Sequence, residues 1–393
     1  MFTHLFKLIW NKKKQNFMLM LEILVSFLVI FAVFTMLVYY YKNYRKPMNF
    51  EYDQVWSIGF KMQDRPQSND SLYVFFEALK NQVKSMPEVE QLSFSGHNIP
   101  FSMSTSQNSL DYEGRHVRSI HDYTVSDDHA KVLKLSLVSG RWFSKEDDAS
   151  RYQPIVISEF LKDKLFGTGE AVGQVLDKES DHPRRIVGVV KDIKDHGDYQ
   201  AIESAMFRRA DTNALRWMEQ ALIRVKPGTG VAFEGRLYKA LASHLTNATI
   251  EIEHLTNKRQ AKNSMTLVPI IIMMVVAGFL VINVALGLFG VLWYNINRRK
   301  AEIGLRRAIG APAGSISRQL VSEAMVLATL ALIVGCFFAV QFPLLNVFDL
   351  PASVYIYAIV LAVLFVYLLV IICSLYPGKQ AAAIYPAVAL HED

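Results

Sequence analysis

Four long stretches of this chain contain no aspartate, glutamate, lysine or arginine. A helix needs about 20 apolar residues to cross a bilayer core about 30 Å thick, and each stretch is long enough. In a chain with 51% hydrophobic residues, four such runs predict four transmembrane helices rather than buried helices of a soluble domain. The stretches cover residues 23–41, 263–297, 324–348 and 350–378.

Segment boundaries follow from these stretches and from the polar residues around them. Transmembrane helices are expected at 17–41, 265–294, 322–342 and 353–375. The other expected segments are an amphipathic N-terminal segment at 1–16, a large domain at 42–264, a coupling segment at 295–321, a short outer loop at 343–352 and a tail at 376–393. For the N-terminal segment, a basic tail without structure is the alternative. The first helix lacks a small-residue cleavage site, which predicts an uncleaved anchor.

Basic residues flank the predicted helices on one side only. Lysines at 12–14 precede the first helix, arginines at 298–307 separate the second from the third, and Lys379 follows the fourth. Because lysine and arginine accumulate on the cytoplasmic side, both termini are expected inside and the large domain outside. That domain has nearly equal numbers of acidic and basic residues, so the net charge of +6 comes from the basic residues beside the predicted transmembrane helices. We interpret this charge as a signal of membrane topology, and no nucleic-acid partner is predicted.

The large domain alternates between strand and helix patterns. Strand, helix and strand patterns follow one another both at its start and at its end. The predicted fold is therefore an α-helical membrane protein with four transmembrane helices and a large extracytoplasmic mixed α/β domain of two lobes. The lobes are a membrane-proximal β-α-β lobe at 50–95 plus 218–256 and an inserted lobe at 96–217. Within the inserted lobe, Ser158 is expected to cap a helix, and the Ser-rich segment 102–113 is expected to be a loop.

Several segments resemble the MacB/FtsX-type ABC transporter permeases. EIGLRRAIGA at 302–311 resembles a signature of that family, and YPGKQAAAIYPAVAL at 376–390 resembles its tail. Four other segments resemble parts of the MacB-like periplasmic core domain of that family. They are LSLVSGRWFSKED at 135–147, PIVISEFLKDKLFG at 154–167, GQVL at 173–176 and IVGVVKDI at 186–193. The chain also has the order of segments found in that family, with one transmembrane helix before the outer domain and three after it. The resemblance implies a multi-pass protein of the cell inner membrane with its large domain in the periplasm.

The segment 295–321 has the pattern of a helix that docks another protein. Glu302 and Arg306 are four residues apart in the order that favours an ion pair, and Leu305 and Ile309 fall on a different, apolar face. The alternative is that the arginines only hold the flanking helices at the lipid headgroups. The family resemblance favours coupling to an ATPase, and the candidate coupling residues are Arg298, Arg299, Glu302, Ile303, Leu305, Arg306, Arg307, Gly310 and Ala311.

The second predicted transmembrane helix contains small and polar residues at its centre. Gly278, Gly287 and Gly290 permit another helix to approach closely, and Asn283 is able to hydrogen-bond to a neighbouring helix. We interpret these residues as helix-packing positions rather than as a substrate site.

No catalytic residue, bound cofactor or metal ligand is predicted. The segment 230–237 has phosphate-loop glycine spacing but places Arg236 and Leu237 where lysine and a hydroxyl residue are needed. ATP and Mg²⁺ are therefore expected on a partner ATPase. Both cysteines, Cys336 and Cys373, fall inside predicted transmembrane helices, which excludes a disulfide framework for the outer domain.

Acidic and histidine residues of the inserted lobe match no metal-ligand spacing. A solvated loop is predicted for His116, His121, His129, Asp127 and Asp128, and Asp147 and Asp148 are predicted to lie at the surface.

The function expected from the resemblance is that of a non-catalytic permease subunit in an efflux or extraction system. Its expected partners are a cytoplasmic ABC ATPase subunit, a second permease copy or paralogue, a periplasmic adaptor or outer-membrane component, and the lipid bilayer. The resemblance implies mechanotransmission from the ATPase to the periplasmic domain, which acts on a peptide, toxin, drug or lipoprotein. The alternative is an FtsX-like regulator that activates a periplasmic cell-wall hydrolase.

Overall fold

A computed structural model describes residues 13–103, 105–178 and 183–382. Most of the predicted amphipathic segment at 1–16 and the end of the predicted tail at 376–393 lie outside the described residues. The chain divides into two compact units, Met1–Lys42 with Leu267–Asp393, and Asn43–Thr266.

Helices and strands alternate through the middle of the chain. The helices are α1 (Lys13–Tyr44), α2 (Asn69–Lys84), α3 (His129–Leu133), α4 (Glu159–Phe166), α5 (Val231–His244), α6 (Leu255–Arg298), α7 (Lys300–Ala308), α8 (Ala313–Leu344) and α9 (Ala352–Ala382). The strands are β1 (Val55–Met62), β2 (Val89–Ser95), β3 (Gln107–Tyr112), β4 (Arg115–Val125), β5 (Leu137–Gly140), β6 (Gln153–Ser158), β7 (Val175–Leu176), β8 (Arg184–Val190), β9 (Ala205–Arg209), β10 (Gln220–Val225) and β11 (Ala248–His254).

Within the residues that the structure describes, four helices are long and apolar enough to cross a membrane. The candidate spans are Phe17–Tyr44 in α1, Leu255–Arg298 in α6, Gly314–Leu344 in α8 and Ala352–Ala381 in α9. Each span has at least 28 residues, more than the roughly 20 that a crossing needs. The prediction of four transmembrane helices is therefore confirmed at the level of length and composition.

Small residues let these helices pack closely. A Cβ atom at Gly335 of α8 would lie 2.5 Å from the ring of Phe27 in α1, so only glycine fits there. Phe27 is itself fully buried. On α9, Ala358 and Ala362 are also fully buried and lie four residues apart on one face. Contacts of this kind are typical of helix packing in membranes, where small side chains allow backbones to approach.

The second unit is built on one large sheet. Its strand order is β11-β1-β10-β2-β4-β9-β6-β8-β5, with β3 paired to β4 and β7 to β8. The pairs β4–β9 and β6–β8 are parallel, and those between β11, β1, β10 and β2 are antiparallel. The mixed α/β prediction is confirmed. The strands of the two predicted lobes meet where Ser95 pairs with Val125, and the division into lobes stays a prediction.

Local sequence signals fix several element ends. Ser158 caps α4 as predicted, since its side chain accepts a hydrogen bond from the backbone N–H of Leu161. The loop predicted at 102–113 is partly wrong, because residues 107–112 form β3 and pair with β4. Glu113 and Gly114, with φ values of 46° and 78°, make a two-residue hairpin turn of the type that suits twisted strands. The strand was missed because only Leu110 along it is buried.

Candidate functional site

The helix α7 is held on one face by a small apolar cluster. Ile303 is buried together with residues from the end of α6, the first half of α8 and the end of α9. These residues are Ile296, Ile316, Leu320 and Ala381. Residues of three transmembrane helices therefore belong to the same buried cluster as Ile303 of α7.

Polar contacts join the same elements. Nη1 of Arg299, the residue before α7, lies 3.1 Å from both carboxylate oxygens of Glu323 in α8. Gln319 of α8 donates to Glu323 at 3.1 Å and accepts from Arg306 of α7 at 3.0 Å. Along α7, Arg306 donates to Glu302 at 2.5 Å, which confirms the ion pair predicted from their spacing.

The end of α7 is closed by a glycine turn. Gly310 has φ +102°, a conformation that favours glycine. Its N–H donates to the carbonyl of Arg307 and the N–H of Ala311 donates to that of Arg306, which together form a Schellman motif. Pro312 follows and is the N-cap of α8. The sequence Ile-Gly-Ala-Pro thus sets a sharp, fixed turn between the two helices.

The opposite face of α7 is exposed and apolar. The side chains of Leu305 and Ile309 are 51% and 79% exposed. Ala301, Ala308 and Pro312 are exposed as well, at the helical spacing noted in the sequence. We call the surface formed by Ala301, Leu305, Ala308, Ile309 and Pro312 the apolar face of α7.

The predicted coupling residues divide into three sets. Arg298, Glu302, Leu305 and Arg306 are exposed, whereas Ile303 is buried and Arg299 is half-buried in its ion pair. Arg307, Gly310 and Ala311 take part in the turn that ends α7. Ile309 was placed on the apolar face by its helical spacing from Leu305 but was not among the candidate coupling residues. Gln319 and Glu323 belong to the segment that resembles the family signature, and their contacts with Arg306 and Arg299 were not predicted.

The predicted packing residues of α6 also differ in their surroundings. A Cβ atom at Gly287 would lie 2.5 Å from a carboxylate oxygen of Glu22, so the side chain of Glu22 in α1 reaches the backbone of α6 there. Gly278 and Gly290 face open space within the described residues. Asn283 donates to the carbonyl of Phe279 on its own helix at 2.8 Å. Packing against another helix at these three residues stays a prediction.

Two histidines that were predicted to lie in a solvated loop are buried instead. His121 in β4 has 1% exposure and His129 in α3 has none, because both elements contribute to the domain core. His116, which lies nearer the hairpin turn, is exposed and pairs with Asp111. His116 is therefore exposed as predicted but lies in strand β4 rather than in a loop, and the solvated-loop interpretation is wrong for His121 and His129.

Asp147 is also buried, contrary to the surface prediction. Its two carboxylate oxygens accept from Arg141 at 2.8 and 2.5 Å, and one accepts from the backbone of Ser144. The Arg141 guanidinium holds the pKa of Asp147 below its usual range. Asp148 is exposed as predicted and pairs with Arg209 at 2.5 Å.

His121 belongs to a cluster that was not predicted from sequence. Its Nδ1 lies 3.3 Å from Asp195 and its Nε2 lies 2.6 Å from Glu203. Burial alone would lower the pKa of His121, but the hydrogen bonds to Asp195 and Glu203 outweigh it and raise the pKa to about 9. Asp195 and His196 are more than 70 positions away in the chain, so spacing arguments did not connect them.

A cleft of about 1030 Å³ opens in the large domain. Arg208 and Arg209 line it and are paired with Asp122 and Asp148 respectively. Trp217, at 72% exposure, also lines it. The cleft thus combines fixed charges with an exposed aromatic ring.

Two family models match the chain. The MacB-like periplasmic core domain matches residues 18–234, and the FtsX-like permease C-terminal matches residues 273–386. The first match alone covers more than half of the chain.

Several curated proteins are similar in sequence. The macrolide export ATP-binding/permease protein MacB 1/2 of Paracoccus denitrificans is 26% identical over 229 residues, 56% of this chain and 34% of that protein. MacB of Chromobacterium violaceum is 27% identical over 287 residues, 68% of this chain and 43% of that protein. The uncharacterized ABC transporter permease YvrN of Bacillus subtilis is 23% identical over 293 residues, 69% of this chain and 70% of that protein. The chain thus spans less than half the length of the two macrolide-export relatives.

A solved structure is also similar. It is the periplasmic region of MacB from Actinobacillus actinomycetemcomitans, with a TM-score of 0.37, 16% identity, and coverage of 53% of this chain and 93% of that one. Since both models match in the order found in the sequence, the chain belongs to the MacB/FtsX-type ABC transporter permeases.

Proposed function

We propose that this permease couples ATP hydrolysis by an ABC ATPase to movement of its large domain, for export or extraction of a substrate. The observation that carries the proposal is the position of α7. One face is fixed to transmembrane helices through Ile303, and the other presents Leu305 and Ile309 to solvent. An exposed apolar surface next to charged residues is typical of a protein contact.

The anchoring of α7 suits it to transmit movement. The Arg299–Glu323 ion pair and the Schellman turn at Gly310 leave little freedom between α7 and α8. A partner that displaces α7 would therefore displace the attached ends of α6 and α8. In this proposal, the binding of ATP and Mg²⁺ takes place on the ATPase, and this chain is not itself catalytic.

The proposed topology follows from charge. Arg298 ends the second candidate span and Arg299 and Lys300 follow it, which favours a cytoplasmic location for α7. With four spans, both termini are then cytoplasmic and the domain from Asn43 to Thr266 is periplasmic, in the inner membrane.

The proposed substrate and outer partners are inferred from the cleft in the large domain and from the names of the similar proteins. The cleft beside Trp217 offers an aromatic ring and paired charges for a cargo or an adaptor. The relatives named for macrolide export favour an efflux role, and peptides, toxins and lipoproteins remain within the proposed class. A second permease copy or paralogue is proposed as the partner within the membrane, and an adaptor or outer-membrane component as the partner outside it. No observation favours the hydrolase-regulator alternative.

The test uses two double variants of α7 in the full chain. Glu302→Lys with Arg306→Glu keeps an ion pair on the helix, so helix stability should change by less than about 0.5 kcal/mol while the surface charge pattern is reversed. Leu305→Ser with Ile309→Ser removes the large side chains of the apolar face. We expect both variants to insert into the membrane normally and to lose co-purification with the ABC ATPase of the native host.

The matched control is Val231→Ser with Tyr238→Ser on α5, which removes exposed apolar side chains from the large domain. This variant should retain the ATPase. If both α7 variants retained it as well, the docking role of α7 would be refuted.

A further inference from the structure

Three potential metal ligands converge in the large domain. They are His121 of β4 and the consecutive residues Asp195 and His196, which follow β8. One ligand atom from each lies within 4.8 Å of the others. The rings of His121 and His196 are 4.2 Å apart, so Asp195 faces two imidazoles at once.

The distances resemble those between ligands of one metal ion. Nδ1 of His121 lies 3.3 Å from Asp195 Oδ2, and Nδ1 of His196 lies 3.1 Å from Asp195 Oδ1. Zinc holds nitrogen and oxygen ligands at about 2.0–2.1 Å in a tetrahedron, which separates neighbouring ligand atoms by roughly 3.3 Å. Nδ1 of His196 is buried and, within the part of the chain that the structure describes, has no partner in hydrogen-bonding geometry.

The surrounding residues support His121 and Asp195 from behind. Glu203 contacts Nε2 of His121 at 2.6 Å, so a metal ion at Nδ1 would displace only the proton that Nδ1 shares with Asp195, and Nε2 would keep its hydrogen bond to Glu203. A carboxylate on the far nitrogen of a histidine fixes its tautomer and orientation and is common behind metal-bound histidines. The hydroxyl of Tyr123 donates to Oδ2 of Asp195.

We propose that His121, Asp195 and His196 bind a zinc-type divalent transition-metal ion, with Glu203 orienting His121. Two imidazole nitrogens suit Zn²⁺, whereas Mg²⁺ and Ca²⁺ prefer oxygen ligands. Water supplies the fourth ligand. This proposal differs from the sequence-based expectation that no metal binds to this chain, and it does not depend on the proposed coupling to an ATPase.

The metal ion would fix a segment that holds the two ends of the large domain. Lys194, next to Asp195, donates to the backbone carbonyls of Asn43 and Lys46 at 2.8 and 3.0 Å. Asp198 accepts from Arg259 through both oxygens, at 3.0 and 2.8 Å. Binding at His121 would therefore tie β4 to the residues through which the chain enters and leaves this domain.

The experiment uses the full chain, purified in detergent with an affinity tag that contains no histidine and treated with a chelator. Zn²⁺ alone is added, excess ion is removed, and bound zinc is counted by elemental analysis. We expect about one Zn²⁺ per chain, no competition from Mg²⁺, and affinity at least tenfold weaker in Asp195→Asn and His196→Gln. The control is His116→Gln, an exposed histidine on the same strand, which should bind zinc as the wild type does.

Co²⁺ provides an independent measurement on the wild type, in case a variant fails to fold. Tetrahedral coordination by nitrogen and oxygen gives a visible absorption band that Zn²⁺ should displace. Absence of both retained zinc and this band would refute the site. Equal zinc binding by the wild type and a folded His196→Gln variant would refute it as well.

Discussion

Arg299 and Glu323 form an ion pair in which one guanidinium nitrogen lies 3.1 Å from both carboxylate oxygens. The two side chains are 18% and 17% exposed, so the pair is largely shielded from water. It joins the residue before α7 to α8 across 24 positions of sequence. The ion pair and the Ile303 cluster together make α7 an extension of the membrane helices.

The ion pair gives the first prediction. Glu323→Ala should lower the free energy of unfolding by about 1 kcal/mol, because Arg299 loses its partner. Exchanging the charges with Arg299→Glu and Glu323→Arg should recover part of the loss. Thermal unfolding of the full chain in detergent measures both effects, and Arg298→Ala, at an exposed neighbour, is the control. A Glu323→Ala variant as stable as the wild type would show that the pair contributes nothing.

The turn after α7 gives the second prediction. Gly310→Ala forces a Cβ atom into a conformation with φ +102° and should destabilise the turn by about 1–2 kcal/mol. Gly314 of α8 has open space around it, so Gly314→Ala should be neutral or stabilising. The same unfolding measurement compares them. Equal stability of the two variants would contradict the role given to the turn.

Helix packing gives the third prediction. Gly335→Ala places a methyl group against the buried ring of Phe27 and should cost about 1–3 kcal/mol. Gly278→Ala, where the space is open, serves as the control and should have little effect. Melting temperatures of the purified variants test this, and a harmless Gly335→Ala substitution would mean that α1 and α8 are not packed as described.

A buried histidine gives the fourth prediction. Burial lowers the pKa of His129 from 6.5 to about 3. Between these two pH values, His129 is therefore neutral in the folded protein and protonated in the unfolded chain. Its contribution to stability is therefore present above pH 6.5 and is lost as the pH falls toward 3, by about 1.4 kcal/mol per pH unit. Unfolding of the wild type and of His129→Asn is measured between pH 7.5 and about 4.5.

The variant should lose less stability over this range than the wild type. Val132→Ala, in the same helix, removes a buried side chain without removing an ionisable group. It should be less stable at every pH while keeping the wild-type dependence. Parallel curves for His129→Asn and the wild type would contradict the assignment.

Local periodic signals were sufficient to predict much of the fold. The charge-free stretches predicted the four apolar helices, and Ser158 caps its helix as expected. β3 escaped prediction because an edge strand with a single buried residue, Leu110, has no clear alternation. Its turn residues, Glu113 and Gly114, were present in the sequence but were not used.

The functional residues were predicted only where they are close in sequence. Glu302 and Arg306 lie one helical turn apart, so helix geometry predicts their contact. His121 meets Asp195 through the parallel pairing of β4 with β9 and the path of the chain after β8, neither of which the sequence specifies locally. The burial of Asp147 likewise depends on Arg141, whose role was not visible in the sequence pattern.

The most direct measurement is the side of the membrane on which α7 lies. Cysteines are introduced one at a time, as Leu305→Cys and Trp217→Cys, in a chain in which Cys336 and Cys373 are replaced by alanine. A membrane-impermeant maleimide is then applied to intact and to lysed cells. The account predicts that Trp217→Cys reacts in intact cells and that Leu305→Cys reacts only after lysis. Labelling of Leu305→Cys in intact cells would contradict a cytoplasmic α7 and with it the proposed coupling to an ATPase.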